Sequence, residues 1–565
     1  MKSGRWSALV RDDRPLKKRL LPALLVSGAI SFTFIVFGIL DLYVGNSDIF
    51  PFLLKDILLP VLLAGLLCFA ALAAILLLLR GKLFDIALSL GVGVLLAGYL
   101  QGNFLNLNLG QLTGDRVAWE DYAVHSLLNA LLWVVIVCAP LALRYFSQKI
   151  WRSATVFVPV LLIGMQLVGL TTSVLTSGVL EQKSANRYLS NRGLYEVSSQ
   201  KNVIVIILDR LDGKYVDAVR KDDPTFFDGM DGFTYYGNNT SQYGRTFPSV
   251  TTMLTGKPSF YQEPASEYFD EAWGNATFLS ALKENNFTTK LYIEKGYTYS
   301  NIEQLDGQVD NIDAGEMTAQ TLPLMRRMAV LSAYRYAPHA LKPSFWMPTS
   351  VFNDYVEANA EIGAYKTDDV AFYKGLKAEG LTVQNTQNNF AFYHLHGCHD
   401  PIYNEKVEYV PEDQTSLLQQ TKGAFRIAFE YMEQLKKLGL YDDATIIITG
   451  DHGKSGDWMR LDMYKTTGLF YKPSGSSGTP LANSDAPTSL ANFEATVLQQ
   501  AGIDYADYGS AISDIPEGAD VTRKFYYRMN NETEDVLEEF EIKGDARKFS
   551  NWHKVGETVN KYPHG

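Results

Sequence analysis

Five long apolar stretches crowd the first third of this chain, and they constrain its fold more than any other feature. They cover residues 20–43, 57–79, 83–100, 123–143 and 154–175. A helix crosses the hydrocarbon of a bilayer with about 20 residues, so each stretch is long enough to span. The third is the weakest, because Asp85 and several glycines interrupt it. One such stretch could be the buried core helix of a soluble protein, but five in series do not fit one compact domain. A cleaved signal peptide would account for the first and for none of the others. The expectation is a five-helix transmembrane domain over 1–176.

Lysine and arginine set the orientation of such a domain. The N-terminal tail holds Lys2, Arg5, Arg11, Arg14, Lys17, Lys18 and Arg19. Arg80 and Lys82 follow the second stretch, and Arg144, Lys149 and Arg152 follow the fourth. The alternate loops have only Lys55 and Arg116, each beside acids. All three basic segments fall on one side, which predicts a multi-pass plasma-membrane protein with a cytoplasmic N-terminus. An odd number of spans then places everything after residue 175 outside.

The rest of the chain reads as a water-exposed protein rich in Tyr, Asp, Glu and Asn, and it carries the acidity behind the net charge of −11. That acidity argues against a nucleic-acid partner, which calls for a basic groove. Of the three cysteines, Cys68 and Cys138 lie in apolar stretches, leaving Cys398 alone in the outer part. No disulfide can form there, so its stability rests on a hydrophobic core. Residues 177–201 are polar and mixed in charge, and read as a linker ending in a short helix or coil. A domain over 202–565 follows.

"NVIVIILD" (202–209) is a continuous β-branched run, the mark of a strand buried on both faces of a parallel sheet. Helix and strand patterns alternate from there. "ATFLSALKENN" has helical spacing and leads into "TTKLYIE"; "NNFAFYHLH" is another buried strand. "SLLQQTKGAFRIAFEYMEQLKKLGL" is a long amphipathic helix that feeds "DATIIITGDHG", and "SLANFEATVLQQAGI" is helical again. This alternation predicts an α/β fold, a mainly parallel sheet flanked by helices.

Three of the buried strands end in side chains able to bind a metal or a phosphate. The first ends at Asp209; "FAFYHLHGCHDP" places His394, His396 and His399 at or just past the end of its strand; "TIIITGDHG" ends in Asp451 and His452. Ligands of open α/β sheets sit at the carboxyl ends of the strands, so these groups should converge on one edge. Each alone could be a turn residue or helix cap. Between them lies "YGRTFPSVTTMLTG" (243–256), in which Pro248 suits a first helical turn with Thr246 just ahead of it. Thr246 could be a simple N-cap. A hydroxyl there also faces free backbone N–H groups, a favourable place for phosphate oxygens, and becomes a nucleophile once something lowers its pKa.

"NVIVIILD", "RTFPSVTTMLTG", "HLHGCHDP" and "IIITGDHG", in this order, resemble the alkaline phosphatase/sulfatase superfamily. With five spans ahead of them, they look like the lipoteichoic acid synthase type of membrane phosphotransferase, and also like phosphoethanolamine transferases. The resemblance implies an extracytoplasmic sulfatase/alkaline phosphatase-like domain with one divalent metal held by Asp209, Thr246, Asp451 and His452. It favours Mn²⁺ through the lipoteichoic acid synthases and Zn²⁺ through the phosphoethanolamine enzymes; Mg²⁺ also suits such ligands. Departures from the sulfatase pattern matter. Thr246 stands where sulfatases carry the cysteine or serine that becomes formylglycine, Val250 where they carry arginine, and Arg210 where they carry a second aspartate. Sulfate-ester hydrolysis is therefore not the expectation.

The resemblance makes Thr246 the nucleophile and His399 a phosphate contact that can also shuttle a proton. His394 fits the first position of the same frame, as a substrate contact or a histidine satisfied within its strand. Arg245 pairs with the phosphate or lies at the surface. Asp212 and His396 are better read as a helix cap and a satisfied strand residue, and Cys398 as a small buried residue. The implied reaction moves an alcohol phosphate, glycerol phosphate from phosphatidylglycerol, from a membrane phospholipid donor to an extracellular glycan or polymer acceptor. Phosphoethanolamine transfer from phosphatidylethanolamine, hydrolysis with water as acceptor, and a non-catalytic lipid-binding regulator are the alternatives.

Overall fold

A computed structural model describes residues 15–562 apart from 48, 108, 110–111, 113–116, 118, 181–186, 360–361, 455–464 and 531–534. Lys2, Arg5, Arg11, Arg14 and Arg116 lie outside the described residues. The chain divides into two compact units, Met1–Ser184 with Glu316–Glu357, and Ala185–Gly315 with Ala358–Gly565.

In the first unit, α1 (Leu16–Val44), α2 (Leu54–Leu78), α3 (Gly81–Leu105), α4 (Trp119–Phe146) and α5 (Gln148–Thr176) are long and apolar enough to cross a membrane. Asp85, which weakened the third stretch, pairs with Arg144 at 2.8 Å. The Arg144 guanidinium also lies 5.8 Å from the Trp151 ring, whose Nε1 donates to Ser89 Oγ at 2.9 Å. The acid thus ties the start of α3 to the end of α4 and the start of α5. A charge at this depth persists only when paired. Arg19 closes the same end by donating to the Leu79 carbonyl at 2.9 Å.

The other end of the bundle holds Glu316–Glu357, which sequence reading assigns to the outer domain. Its helix Thr321–Tyr336 buries Leu324, Met328 and Leu331, spaced as one helical face, against Ile39 and Tyr43 of α1 and Ile57 and Val61 of α2. Met347, Phe352 and Val356 join the same cluster. Arg335 pairs with Asp41 at 2.6 Å, and Ser332 Oγ donates to the Phe34 carbonyl at 2.6 Å. An amphipathic helix announces that one face is buried, but its sequence does not name the surface that buries it.

The second unit is built on a seven-stranded sheet. Its strands are β1 (Asn202–Leu208), β2 (Thr234–Tyr236), β3 (Phe287–Tyr292), β4 (Asn388–Leu395), β5 (Thr445–Thr449), β6 (Leu469–Lys472) and β7 (Ala482–Ser484), in the order β7-β2-β6-β5-β1-β4-β3. The neighbours β5, β1, β4 and β3 are all parallel; β6 runs antiparallel to β5 and β2. The β1 run is continuous because both of its faces are covered. Ile204, Ile206 and Leu208 enter one core with Phe425 and Tyr431 of the helix Leu417–Lys437, while Val203, Val205 and Ile207 enter the other with Leu279 of Phe278–Glu284 and Val497 of Phe493–Ala501.

Strands also form in the expected linker and in the C-terminal tail. Arg187–Leu189 and Glu196–Ser198, expected as linker, helix or coil, pair with Ile312–Ala314 and Thr382–Asn385. Strands of three residues are too short to show alternation, and their register comes from the partner. The tail forms an antiparallel sheet of β8 (Thr522–Asn530), β9 (Asp535–Lys543) and β10 (Trp552–Val559). Tyr526 of β8 donates its N–H to the Gln242 carbonyl at 2.8 Å and stacks on Tyr243 at 5.2 Å, so the tail supports the segment that leads into Thr246.

Candidate metal centre at the sheet edge

Strand register brings the polar chain ends together. Leu208 of β1 lies beside Leu395 of β4, and Ile207 beside Thr449 of β5, so three adjacent strands stop level with one another. Asp209, the His394–His399 loop and Asp451–His452 leave the same edge. One ligand atom each from Asp209, His394 and Asp451, all buried, lie within 4.8 Å of one another. His452 Nε2 is 3.6 Å from Asp209 Oδ1 and 3.7 Å from Asp451 Oδ2; His394 Nε2 is also 3.7 Å from Asp451 Oδ2.

Asp451 is fully buried and its two oxygens have different surroundings. Oδ1 accepts from the Arg210 N–H at 3.1 Å and the His452 N–H at 2.9 Å. Oδ2, like His394 Nε2, makes no hydrogen bond, and both are buried. Burial alone would raise the carboxyl's pKa. The His452 and His394 imidazoles and the Arg210 N–H outweigh that and hold it well below the usual carboxylate range. Buried polar atoms left unpaired around a shared space call for a partner that the chain does not supply, and oxygen with imidazole nitrogen suits a divalent cation.

The loop after β4 is fixed against Asp209 by backbone. Cys398 N–H donates to the Asp209 carbonyl at 2.8 Å. Gly397, at φ +56°, packs so closely that a Cβ there would sit 2.4 Å from Asp209 N. Only glycine satisfies both the left-handed conformation and the approach. Asp369 accepts from the His396 and Gly397 N–H groups at 2.8 and 2.9 Å and from the Tyr403 hydroxyl at 2.7 Å. Gln420 Nε2 donates to the His399 carbonyl at 2.9 Å. These two side chains position the loop and were missed by sequence reading, since neither lies in a strand-end motif. Glu294, just past β3, was also missed. Burial raises its pKa against the opposing influence of His394, Thr367 and His396.

The other sequence candidates are placed as follows. Thr246 starts the helix Thr246–Thr255, but Phe247 and Pro248 are non-helical, so regular turns begin after Pro248 and Arg245 takes the N-cap position without a capping side chain. Ser249 Oγ, three residues past Thr246, donates to the Asp451 carbonyl at 2.6 Å and seats this segment against the end of β5. His399 Nδ1 is 3.9 Å from Asp400 Oδ2, and its ring lies 5.3 Å from that of His396. His396 Nε2 meets the Asp400 carbonyl at 3.0 Å. Asp212 caps the helix Gly213–Asp222 by accepting from Lys214 N–H at 2.9 Å. Cys398 is buried, and burial pushes its thiol far above the ordinary range, which leaves it inert. Arg210 is buried at φ +60°, with Nη1 3.7 Å from Asp400 Oδ1.

A mainly parallel sheet whose central strands end in a buried carboxylate and imidazole cluster defines an α/β protein with a group that could hold a metal at the sheet edge. The Sulfatase family matches residues 201–503, and the chain belongs to that family. No curated protein sequence matches the chain. Among solved structures it is similar to the phosphonate monoester hydrolase SpPMH from Silicibacter pomeroyi, at 14% identity and a TM-score of 0.37 over 61% of this chain and 87% of that one. It is also similar to an alkaline phosphatase superfamily protein from Vibrio parahaemolyticus, at 12% identity and 0.35 over 66% and 84%. A third is the lipoteichoic acid synthase LtaP from Listeria monocytogenes, at 11% identity and 0.34 over 63% and 87%.

Proposed function

We propose that this protein is a metal-dependent phosphotransferase on the outer face of the plasma membrane. It would move an alcohol phosphate from a phospholipid donor, by way of Thr246, to a hydroxyl of an extracellular glycan or polymer. The observation that carries the reading is the buried Asp209–His394–Asp451 grouping at the sheet edge of a sulfatase-family domain, joined to five apolar helices. Asp209, Asp451 and His452, with Thr246, would hold one divalent cation, and Mn²⁺ is favoured by resemblance. When bound, such a cation withdraws charge from the Thr246 hydroxyl and from the phosphoryl oxygens.

Thr246 Oγ, its proton given up to solvent beforehand, would form a bond to phosphorus as the bond from phosphorus to the diacylglycerol oxygen breaks, and would leave again as the alkoxide. His399 is suited to give the departing oxygen its proton and later to take one from the acceptor hydroxyl, which displaces Thr246 in the second half. His394 and Arg245 contact the phosphate. The helices keep the enzyme in the membrane that contains the donor. Orientation is supported by the bundle itself, since Arg19, Arg80 and Arg144 gather at one end while Glu316–Glu357 packs at the other.

Incubation of the full chain with fluorescent phosphatidylglycerol and Mn²⁺ tests this. The expected result is release of diacylglycerol, lost in Thr246→Ala and on chelation, with a glycerol phosphate adduct on Thr246 that persists in water. Turnover of phosphatidylethanolamine instead would replace the donor. No turnover of either lipid, with the metal bound, would leave the regulator reading standing.

A further inference from the structure

A second group of buried polar atoms lies within the first unit. His125 and Ser126 belong to the first turns of α4, and His339 and Lys342 to the 3-10 turn His339–Ser344. The His125 and His339 rings meet edge to face at 5.1 Å, with Trp119 and Tyr122 flanking His339 at 5.8 and 5.6 Å. His339 and Lys342 are 1% and 2% exposed. The His339 N–H donates to Asn129 Oδ1 at 2.9 Å, and Asn129 Nδ2 donates to Gln101 Oε1 at 2.8 Å, so α3 and α4 together hold this turn in place.

Protons can be assigned from the partners. Ser126 Oγ lies 2.8 Å from His339 Nδ1, and with the hydroxyl as donor the ring proton sits on Nε2. That Nε2 is buried without an acceptor, and so is His125 Nε2. Lys342 Nζ donates to the Tyr334 carbonyl and faces the Tyr334 ring at 4.6 Å. Among the described residues no carboxylate pairs with it. In a 3-10 turn side chains three apart eclipse, which puts Lys342 on the His339 face. Burial, His125 and Lys342 push the His339 pKa down to about 4, and burial lowers Lys342 to about 8. A buried ammonium with no carboxylate paired to it, beside two imidazole Nε2 atoms without partners, favours an anion.

Depth indicates which anion. Val124, Leu127 and Leu128, beside His125 on α4, are 73%, 62% and 60% exposed, as apolar residues facing lipid are. Trp119 and Tyr122 at the helix end mark the headgroup level. We propose that His125, His339 and Lys342 bind the headgroup phosphate of a membrane phospholipid, a lipid that is held and not consumed. It would tie the Glu316–Glu357 segment to α4.

Native mass spectrometry of the full chain in detergent, titrated with phosphatidylglycerol in one arm and with inorganic phosphate in another, tests this. Wild type should retain a lipid that Lys342→Gln and His125→Gln bind about tenfold or more weakly, and millimolar phosphate should not displace it. Equal retention by all three proteins overturns the site, and displacement by inorganic phosphate overturns its assignment to a lipid. Lipid-free Lys342→Gln should melt no lower than wild type, because it loses an ammonium buried without a carboxylate partner; a lower melting temperature would mark Lys342 as merely structural. Should Lys342→Gln fail to fold, His125→Gln decides. The readout is independent of turnover, so it stands or falls apart from the chemistry at Thr246.

Discussion

Two histidine clusters in this protein, one in each unit, are built from the same imidazole and complete it in opposite ways. At the sheet edge, His394 and His452 face Asp209 and Asp451, so the cluster lacks positive charge. In the membrane unit, His125 and His339 adjoin Lys342, so the cluster lacks negative charge. The imidazole alone therefore says little about a ligand; the formal charges placed beside it decide the sign of what is bound.

The sharpest way to break this contrast is Asp451→Asn. It should abolish metal retention and cost about 4 kcal/mol of transition-state stabilisation, roughly a thousandfold in turnover. Lipid retention by the membrane unit should be unchanged; if mass spectrometry shows both ligands lost together, the two sites are not independent. Metal itself should stabilise the sheet-containing unit, by about 2.7 kcal/mol at a hundred times its dissociation constant. Calorimetry with and without chelator reads this, and Asp451→Asn should show no response. Gly397→Ala forces a side chain into the Asp209 backbone and a left-handed conformation, and should cost about 2 kcal/mol in denaturant unfolding.

A further comparison is with a carboxyl that has no cluster. Glu494 Oε1 is buried without a hydrogen bond, and burial pushes its pKa up to about 8. Above the unfolded value the unfolded chain gives up this proton while the folded one keeps it. Stability should fall as pH rises from about 4.5 toward about 8 and then level off. In Glu494→Gln that slope should vanish from a series of melting curves. Asp451, held ionised by its neighbours, has the opposite disposition.

The sequence makes some of this readable and hides the rest for physical reasons. The β1 run is legible because Ile204 and Val205 face different cores that are both dry, and strand ends carrying Asp209 and Asp451 follow from parallel register. His394 reads from sequence as a substrate contact or a satisfied strand residue, and what its strand pattern does not announce is that its Nε2 lies 3.7 Å from Asp451 Oδ2. Asp369 and Gln420 act through backbone groups remote in sequence, and no local pattern carries that signal. The tail strands escaped notice because Arg523 and Arg528 are buried where alternation leads one to expect apolar residues. Arg523 donates from Nη1 to the Asn238 carbonyl, and Arg528 pairs with Asp535 at 2.9 Å.

The assignment of Glu316–Glu357 to the membrane unit has a consequence for how the protein could be shed or truncated. The backbone passes from one unit to the other near residues 184, 315 and 357. A single proteolytic nick near residue 184 would not release the sheet-containing unit, because the excursion still moors it; liberation requires scission on both flanks of that excursion as well. An expression fragment beginning at residue 202 would bring Leu324, Met328 and Leu331 into solvent, and clumping of such a fragment would be its first symptom.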